Sequence, residues 1–392
     1  MSRPARARFP EPTLITTSEA LAAVVERLRH ESFVTIDTEF VRERTYWPEL
    51  CVVQLAGEQE VAIVDAEAEG LDLQVLAPLL DDPAVTKVFH AARQDLEIFL
   101  YKFGRLPAAL FDTQVAAMVA GFGDQVGYDS LVSALTGGQI DKAHRFSDWS
   151  RRPLSPAQIA YAAADVTYLR EVYTRLRERL ERDGRFEWVG EEMASLSDPV
   201  TFRPDPDSLW ERLRPRTGNR RMLGVLRAIA AWREREAQRV NVPRQRLLKD
   251  ESLLEIAATA PVTAEALATV RGVSRGFAEG RSGIGLIEAI AAAQALPDEA
   301  LPAAPRKDGP RPSPALVSLL KVLLAAKSEQ HDVAPRLLAS SEDIDRLATE
   351  TEPHIPALSG WRRIVFGEDA LSLKAGRISL GVEGRKIRLL RV

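Results

Sequence analysis

The run Phe33-Val34-Thr35-Ile36-Asp37-Thr38-Glu39-Phe40 joins a buried-strand pattern to two acids spaced two apart. Phe33 to Ile36 are apolar or β-branched and follow the polar pair Glu31-Ser32, which predicts a short strand. Side chains alternate along a strand, so Asp37 and Glu39 point the same way. Two like charges on one face repel unless something positive sits between them. Two outcomes stand open at this point. The triplet is either a solvated loop start, or a site for a divalent cation such as Mg²⁺, which takes carboxylate oxygens and keeps several waters.

Two later segments bear on that choice. Val85-Thr86-Lys87-Val88-Phe89-His90 reads as a strand after the turn signal Asp81-Asp82-Pro83. It runs into a helical pattern from Arg93, which puts Asp95 in the first helical turn. An acid is favoured there by the helix dipole alone. Farther on, Ser155 and Gln158 form a capping box with Pro156 at the first helical position. Tyr161 and Asp165 are then stacked on one face of that helix, four residues apart. The run Ala162-Ala163-Ala164 between them allows close approach to another surface.

Taken together, the Asp-x-Glu strand, Asp95 and the Tyr-x-x-x-Asp helix resemble the DEDD exonuclease superfamily in its tyrosine-bearing branch. The longer runs are more specific. Asp37-Thr38-Glu39-Phe40-Val41-Arg42 with Thr45-Tyr46-Trp47-Pro48, Asp148-Trp149-Ser150-Arg151-Arg152-Pro153-Leu154, and Tyr161 to Val166 are similar to the ribonuclease D family. The resemblance implies a ribonuclease H-like sheet with helices on both faces, followed by all-α bundles of the HRDC kind. It implies a metal-dependent 3′→5′ exoribonuclease releasing nucleoside 5′-monophosphates, with tRNA precursors as the expected RNA. Asp37, Glu39, Asp95 and Asp165 would hold two divalent ions, Mg²⁺ or Mn²⁺, and Tyr161 would orient the attacking water. Phe40, Arg42 and Tyr46 are candidates for stacking on or clamping the RNA 3′ end. His90 is read as structural, because this branch uses the tyrosine. A DNA exonuclease and a silent RNA-binding adaptor are the rival readings; the presence of all five site residues argues against silence.

The organisation agrees with such a fold. A chain of 392 residues has room for two or three domains of roughly 100–200 residues. Strand and helix patterns alternate over the first part: a helix from a Thr16/Glu19 capping box to about Arg29, strands at Phe33–Asp37, Leu50–Leu55 and Val61–Asp65, a helix near Asp72–Leu80, and a last strand at Leu110–Asp112 with Asp112 as N-cap. The short link Gly57–Glu60 predicts a hairpin. The expected domains are an exonuclease domain over 1–197, an HRDC domain over 207–297, a second HRDC-like bundle over 311–366 after a proline-rich linker at 301–310, and a β-like tail over 367–392.

Composition narrows the setting. Cys51 is the single cysteine and lies in an apolar run, so a buried free thiol is expected. The basic N-terminus lacks a following apolar core, so no secretory signal is expected. No apolar run approaches the roughly 18–20 residues that span a bilayer. A cytoplasmic protein with no membrane and no required protein partner is the expectation. The net charge is −4, yet Thr201–Asp250 carries 13 basic side chains against 6 acidic ones. Arg212, Arg214, Arg216, Arg220, Arg221 and Arg227 either hold RNA phosphates or form a solvated helix face, as Arg233-Glu234-Arg235-Glu236 suggests.

Overall fold

A computed structural model describes residues 9–141, 143–145, 147–303 and 312–392. Most of the basic N-terminus and of the linker expected over 301–310 lies outside the described residues. The chain divides into two compact units. The first comprises the described parts of Met1–Glu39, Leu50–Asp198 and Pro310–Val392, and the second Phe40–Glu49 and Pro199–Gly309.

The first unit begins β1 (Pro12–Ile15), α1 (Ser18–Leu28), β2 (Phe33–Val41), β3 (Glu49–Ala56) and β4 (Val61–Asp65). It continues α2 (Ala77–Leu80), β5 (Thr86–Phe89), α3 (Arg93–Phe103), β6 (Leu110–Asp112), α4 (Thr113–Val119), α5 (Tyr128–Thr136), α6 (Pro156–Arg182) and α7 (Phe186–Leu196). The six strands form one mixed sheet in the order β1-β4-β3-β2-β5-β6. β1 and β4 are parallel, as are β2 with β5 and β5 with β6, while β3 runs antiparallel to β4 through the expected hairpin.

Three local readings change. β2 continues to Val41, so Asp37 and Glu39 stand inside the strand and not at its end. The cap of α1 is Thr17, whose side chain accepts from the Ala20 amide, and not Thr16; with Ser18 as the first helical residue, Glu19 is too close to reach back. The helix expected over 72–80 splits into a 3₁₀ turn at Leu73–Leu76 capped by Asp72, then α2. The capping box of Ser155 with Gln158 and the Asp112 cap form as expected. Cys51 is buried and in no disulfide, as expected of a single cysteine.

The second unit is helical: α8 (Arg220–Val240), α9 (Arg244–Leu247), α10 (Asp250–Thr259), α11 (Ala264–Leu267), α12 (Arg275–Glu279) and α13 (Arg281–Gln294). Leu226, Ile229, Leu253, Ile256, Leu286 and Ile290 make its core. The basic excess here is structural in large part. Arg220 donates to the Asp298, Leu301 and Pro302 carbonyls, Arg221 to those of Gln294 and Leu296, and Arg227 to that of Ala300. These guanidinium groups satisfy the carbonyl of Gln294, at the end of α13, and those of the stretch 296–302 that follows it. The Arg233–Glu236 run is likewise no solvated face. Arg233, Glu234 and Glu236 are buried; Arg233 pairs with Asp250 at 2.8 Å and Glu234 with Arg244 at 2.9 Å.

The C-terminal part carries α14 (Pro314–His331), α15 (Pro335–Leu338), α16 (Ser341–Thr349), α17 (Gly360–Arg362), α18 (Glu368–Lys374) and the antiparallel hairpin β7 (Ile378–Glu383) to β8 (Lys386–Arg391). It belongs to the same unit as the sheet. The Trp361 ring stacks on Trp188 of α7 at 4.6 Å and 4°. Arg362 pairs with Glu192, and the Ala334 amide donates to the Met118 carbonyl at 3.0 Å. An apolar face of the nuclease part is therefore completed by the far end of the chain. Trp361 is 3% exposed, so Trp361→Ala should cost about 3–5 kcal/mol. Urea unfolding of the full chain measures this, and a chain ended near Ser197 should be less stable than the full chain for the same reason.

Candidate active site

The sheet brings the acids together. Asp37 and Glu39 share one face of β2, and α6 lies across that face. Thr35, on the same face, donates its hydroxyl to the Val166 carbonyl of α6 at 2.8 Å. Ala162 and Ala163 of α6, just before Asp165, are buried and small. Asp165 follows on the same helix. Carboxylate oxygens of Asp37, Glu39 and Asp165 all lie within 4.8 Å of one another. Asp95, in the first turn of α3, stands beside this trio and accepts a hydrogen bond from the Thr38 hydroxyl. Alternation sends Thr38 to the opposite side of β2 from its two acidic neighbours.

Electrostatics show what this crowding costs. Burial pushes the Asp37 carboxyl well above its ordinary range, and the nearby Asp165 pushes it further. Asp95 is raised by burial and then by Asp37. Glu39 is pushed up to about 10 by burial together with Asp37, Asp165 and Asp95. Asp165 is raised to about 7 by burial, against the pull of the Tyr161 hydrogen bond and of Arg145. Like charges so close cannot all ionise unless a cation joins them. All the donors are carboxylate oxygens, the set that hard divalent ions take.

Tyr161 bonds to the Asp165 carboxylate, and burial plus the acids push its hydroxyl above its normal value. It is therefore a neutral donor. The buried Trp149 ring packs against it at 6.1 Å. The Asp148–Leu154 run is anchored by Arg152, which donates to both oxygens of Asp65 at 2.8 and 2.6 Å and to the Trp149 and Cys51 carbonyls. His90 lies outside the cluster. Its Nδ1 is 3.0 Å from the Thr113 hydroxyl, which itself donates to the Phe89 carbonyl.

Phe40, Arg42 and Tyr46 fall in the segment that belongs to the helical unit. There the Tyr46 hydroxyl donates to Glu234 and accepts from Gln238, and its ring faces the Arg244 guanidinium at 5.7 Å. Two residues beside the acids were not anticipated. Tyr128, at the start of α5, donates its hydroxyl to the Asp165 main-chain carbonyl and packs on His90 at 5.1 Å. No sequence periodicity marks it, since it follows an irregular loop. Thr38 was readable from strand alternation once α3 was placed.

A family model described as 3′-5′ exonuclease matches residues 12–181, and one described as HRDC domain matches residues 222–290. A protein named ribonuclease D from Gluconacetobacter diazotrophicus is 74% identical over 389 residues, covering 99% of both chains. The chain belongs to the ribonuclease D family. Another ribonuclease D, from Granulibacter bethesdensis, is 72% identical, covering 100% of this chain and 99% of its own. The crystal structure of Escherichia coli RNase D, titled an exoribonuclease involved in structured RNA processing, superposes with a TM-score of 0.80 at 31% identity. That match covers 93% of this chain and 98% of the other. With this family comes the enzyme class, a 3′→5′ exoribonuclease.

The raised carboxyls fix the sign of a pH effect on the metal-free protein. A group that holds its proton more tightly when folded stabilises the fold at low pH, and that contribution is lost as pH rises through the folded value. Asp165 loses its share up to about 7 and Glu39 up to about 10. In chelator, this site's contribution to stability should fall from about pH 5 to about pH 8. Added Mg²⁺ should raise the unfolding midpoint more at the higher pH. Thermal unfolding at both pH values, with and without Mg²⁺, checks it; a pH-independent Mg²⁺ effect would remove the coupling.

Proposed function

We propose that this ribonuclease D family member removes nucleoside 5′-monophosphates from RNA 3′ ends with two divalent ions, Mg²⁺ or Mn²⁺, and that tRNA precursors in the cytoplasm are its substrates. The observation that carries the reading is the cluster of Asp37, Glu39 and Asp165 within 4.8 Å, with Asp95 alongside. Asp37 would bridge both ions, Glu39 and Asp165 would complete one site, and Asp95 would serve the other. Such ions acidify water and neutralise the charge that develops on the attacking and leaving oxygens.

The protein's own groups do the positioning. Tyr161 keeps its proton among the carboxylates, so it can donate to a reacting oxygen but not remove a proton. Tyr128 holds the Asp165 backbone, and Thr38 holds the Asp95 carboxylate, which fixes two of the four acids from behind. Phe40, Arg42 and Tyr46 are proposed to meet the RNA 3′ end; for Tyr46 this contact would use the ring, since its hydroxyl is engaged by Glu234. No described helix is long and apolar enough to cross a membrane.

The deciding experiment compares labelled RNA and DNA of matched sequence with Mg²⁺, Mn²⁺ or chelator. RNA should shorten from its 3′ end to 5′-monophosphates and stop in chelator. Preference for DNA would favour the rival exonuclease, and no turnover of either would favour an adaptor. Asp37→Asn should abolish turnover with the fold intact, since it removes charge and almost no volume. Tyr161→Phe should lower kcat by about 10²-fold while the Kd for RNA hardly changes. An unaltered single-turnover rate would assign Tyr161 to packing.

A further inference from the structure

Gln54 of β3 is fully buried, and among the described residues neither its carboxamide nitrogen nor its oxygen has a hydrogen-bond partner. Leaving such a group unpaired is destabilising, and an apolar side chain would avoid that cost. Its place in the sheet gives the reason for an amide. In the pairing with β4, Gln54 opposes Ile63, on the face that Asp65 also presents to Arg152 just before α6. On β2, Thr35 bonds to the Val166 carbonyl of α6 and lies 3.4 Å from the Ala56 carbonyl of β3.

β2 and β3 are hydrogen-bonded neighbours, and residues 42–48 alone connect them. A parallel return would need a crossover of a dozen or more residues, so the pair is antiparallel. With Thr35 beside Ala56, two residues forward on β2 is Asp37 and two residues back on β3 is Gln54. Both are then on the α6 face as a directly opposed pair, for which Cβ atoms sit about 4.5–5.5 Å apart. A carboxamide with nothing to bond stands next to the acid at the centre of the cluster.

We propose that Gln54 is a positioning residue for Asp37: its Nε2 donates to the Asp37 carboxylate when a divalent ion fills the site, and its Oε1 accepts from water held there. The inference rests on the metal reading above. An amide suits the place because it donates without adding a fifth negative charge. Partners behind a ligand typically govern metal affinity by about 10- to 100-fold.

The test uses the full chain and needs no turnover. Gln54→Met and Gln54→Leu keep similar volume and remove the amide. In chelator both variants should be at least as stable as wild type, because an unpaired buried group is gone. Without RNA, their Kd for Mn²⁺, read by calorimetry or electron paramagnetic resonance, should rise about 10- to 100-fold. The opposite signs exclude a packing role, which would lower metal-free stability and leave the Mn²⁺ Kd alone. Mn²⁺ affinity within about twofold of wild type, or failure of both variants to fold, would overturn the proposal. A wild-type chain that binds no Mn²⁺ would instead overturn the metal reading itself.

Discussion

Everything else in the site depends on the crossing of α6 over β2. Three acids reach one place only because a helix carrying Asp165 comes close enough to a strand carrying Asp37 and Glu39. Just before Asp165 the helix is small and buried at Ala162 and Ala163, and it turns a backbone acceptor toward the sheet. The Thr35 hydroxyl takes that acceptor at Val166, one residue past Asp165. The Tyr128 hydroxyl takes the carbonyl of Asp165 itself. Two consecutive carbonyls are thus held from opposite elements, one by β2 and one by the start of α5.

The crowding is unfavourable by itself, and the surrounding structure carries the cost. Burial raises all four carboxyls, and neighbouring acids raise Asp37, Glu39 and Asp95 further, so without cations the cluster favours its protonated forms. A pliable fold would relieve this by moving α6 away. Here α6 is pinned at its N-terminus by the Ser155–Gln158 box, while Arg152 on Asp65 anchors the approach to it. The helices after it are tied to the C-terminal bundle by the Trp188–Trp361 stack and the Arg362–Glu192 pair. The C-terminal segment from Pro314 onward is then tied to the helix that follows α6, although it contributes no residue to the cluster.

Three of the acids were legible in the sequence because each sits on a short, regular period, while Asp95 showed only as an acid in the first turn of a helix. Asp37 and Glu39 follow the two-residue repeat of a strand, and Tyr161 and Asp165 the four-residue repeat of a helix whose start is marked by a capping box. What the sequence hid was long-range. The partners of Thr38 and Tyr128 are tens of residues away, and the buried amide of Gln54 looks in sequence like any polar residue in a strand. Arg233-Glu234 shows the converse error. Alternating charges at helical spacing suggest a wet face, but Tyr46, Arg244 and Asp250 come from outside α8 to bury the pair. The arginines at 220, 221 and 227 misled in the same way, since their acceptors are backbone carbonyls more than seventy positions on.

The two tyrosines of the site show how environment divides labour between identical side chains. Both hydroxyls are pushed above their ordinary range by burial and by the carboxylates, so both are fixed as donors at any physiological pH. Their difference is the acceptor. Tyr128 meets a main-chain carbonyl, whose charge does not change with protonation or metal binding, so its bond is permanent scaffolding. Tyr161 meets the Asp165 carboxylate, an acceptor that a cation would also claim. Were a cation to draw on that carboxylate, the Tyr161 hydroxyl would be freed to turn toward a neighbouring oxygen, while the Tyr128 bond to the Asp165 main-chain carbonyl would be unaffected. A donor that can be redirected, mounted on a helix held at its backbone, is what orienting a small reactant among fixed acids requires.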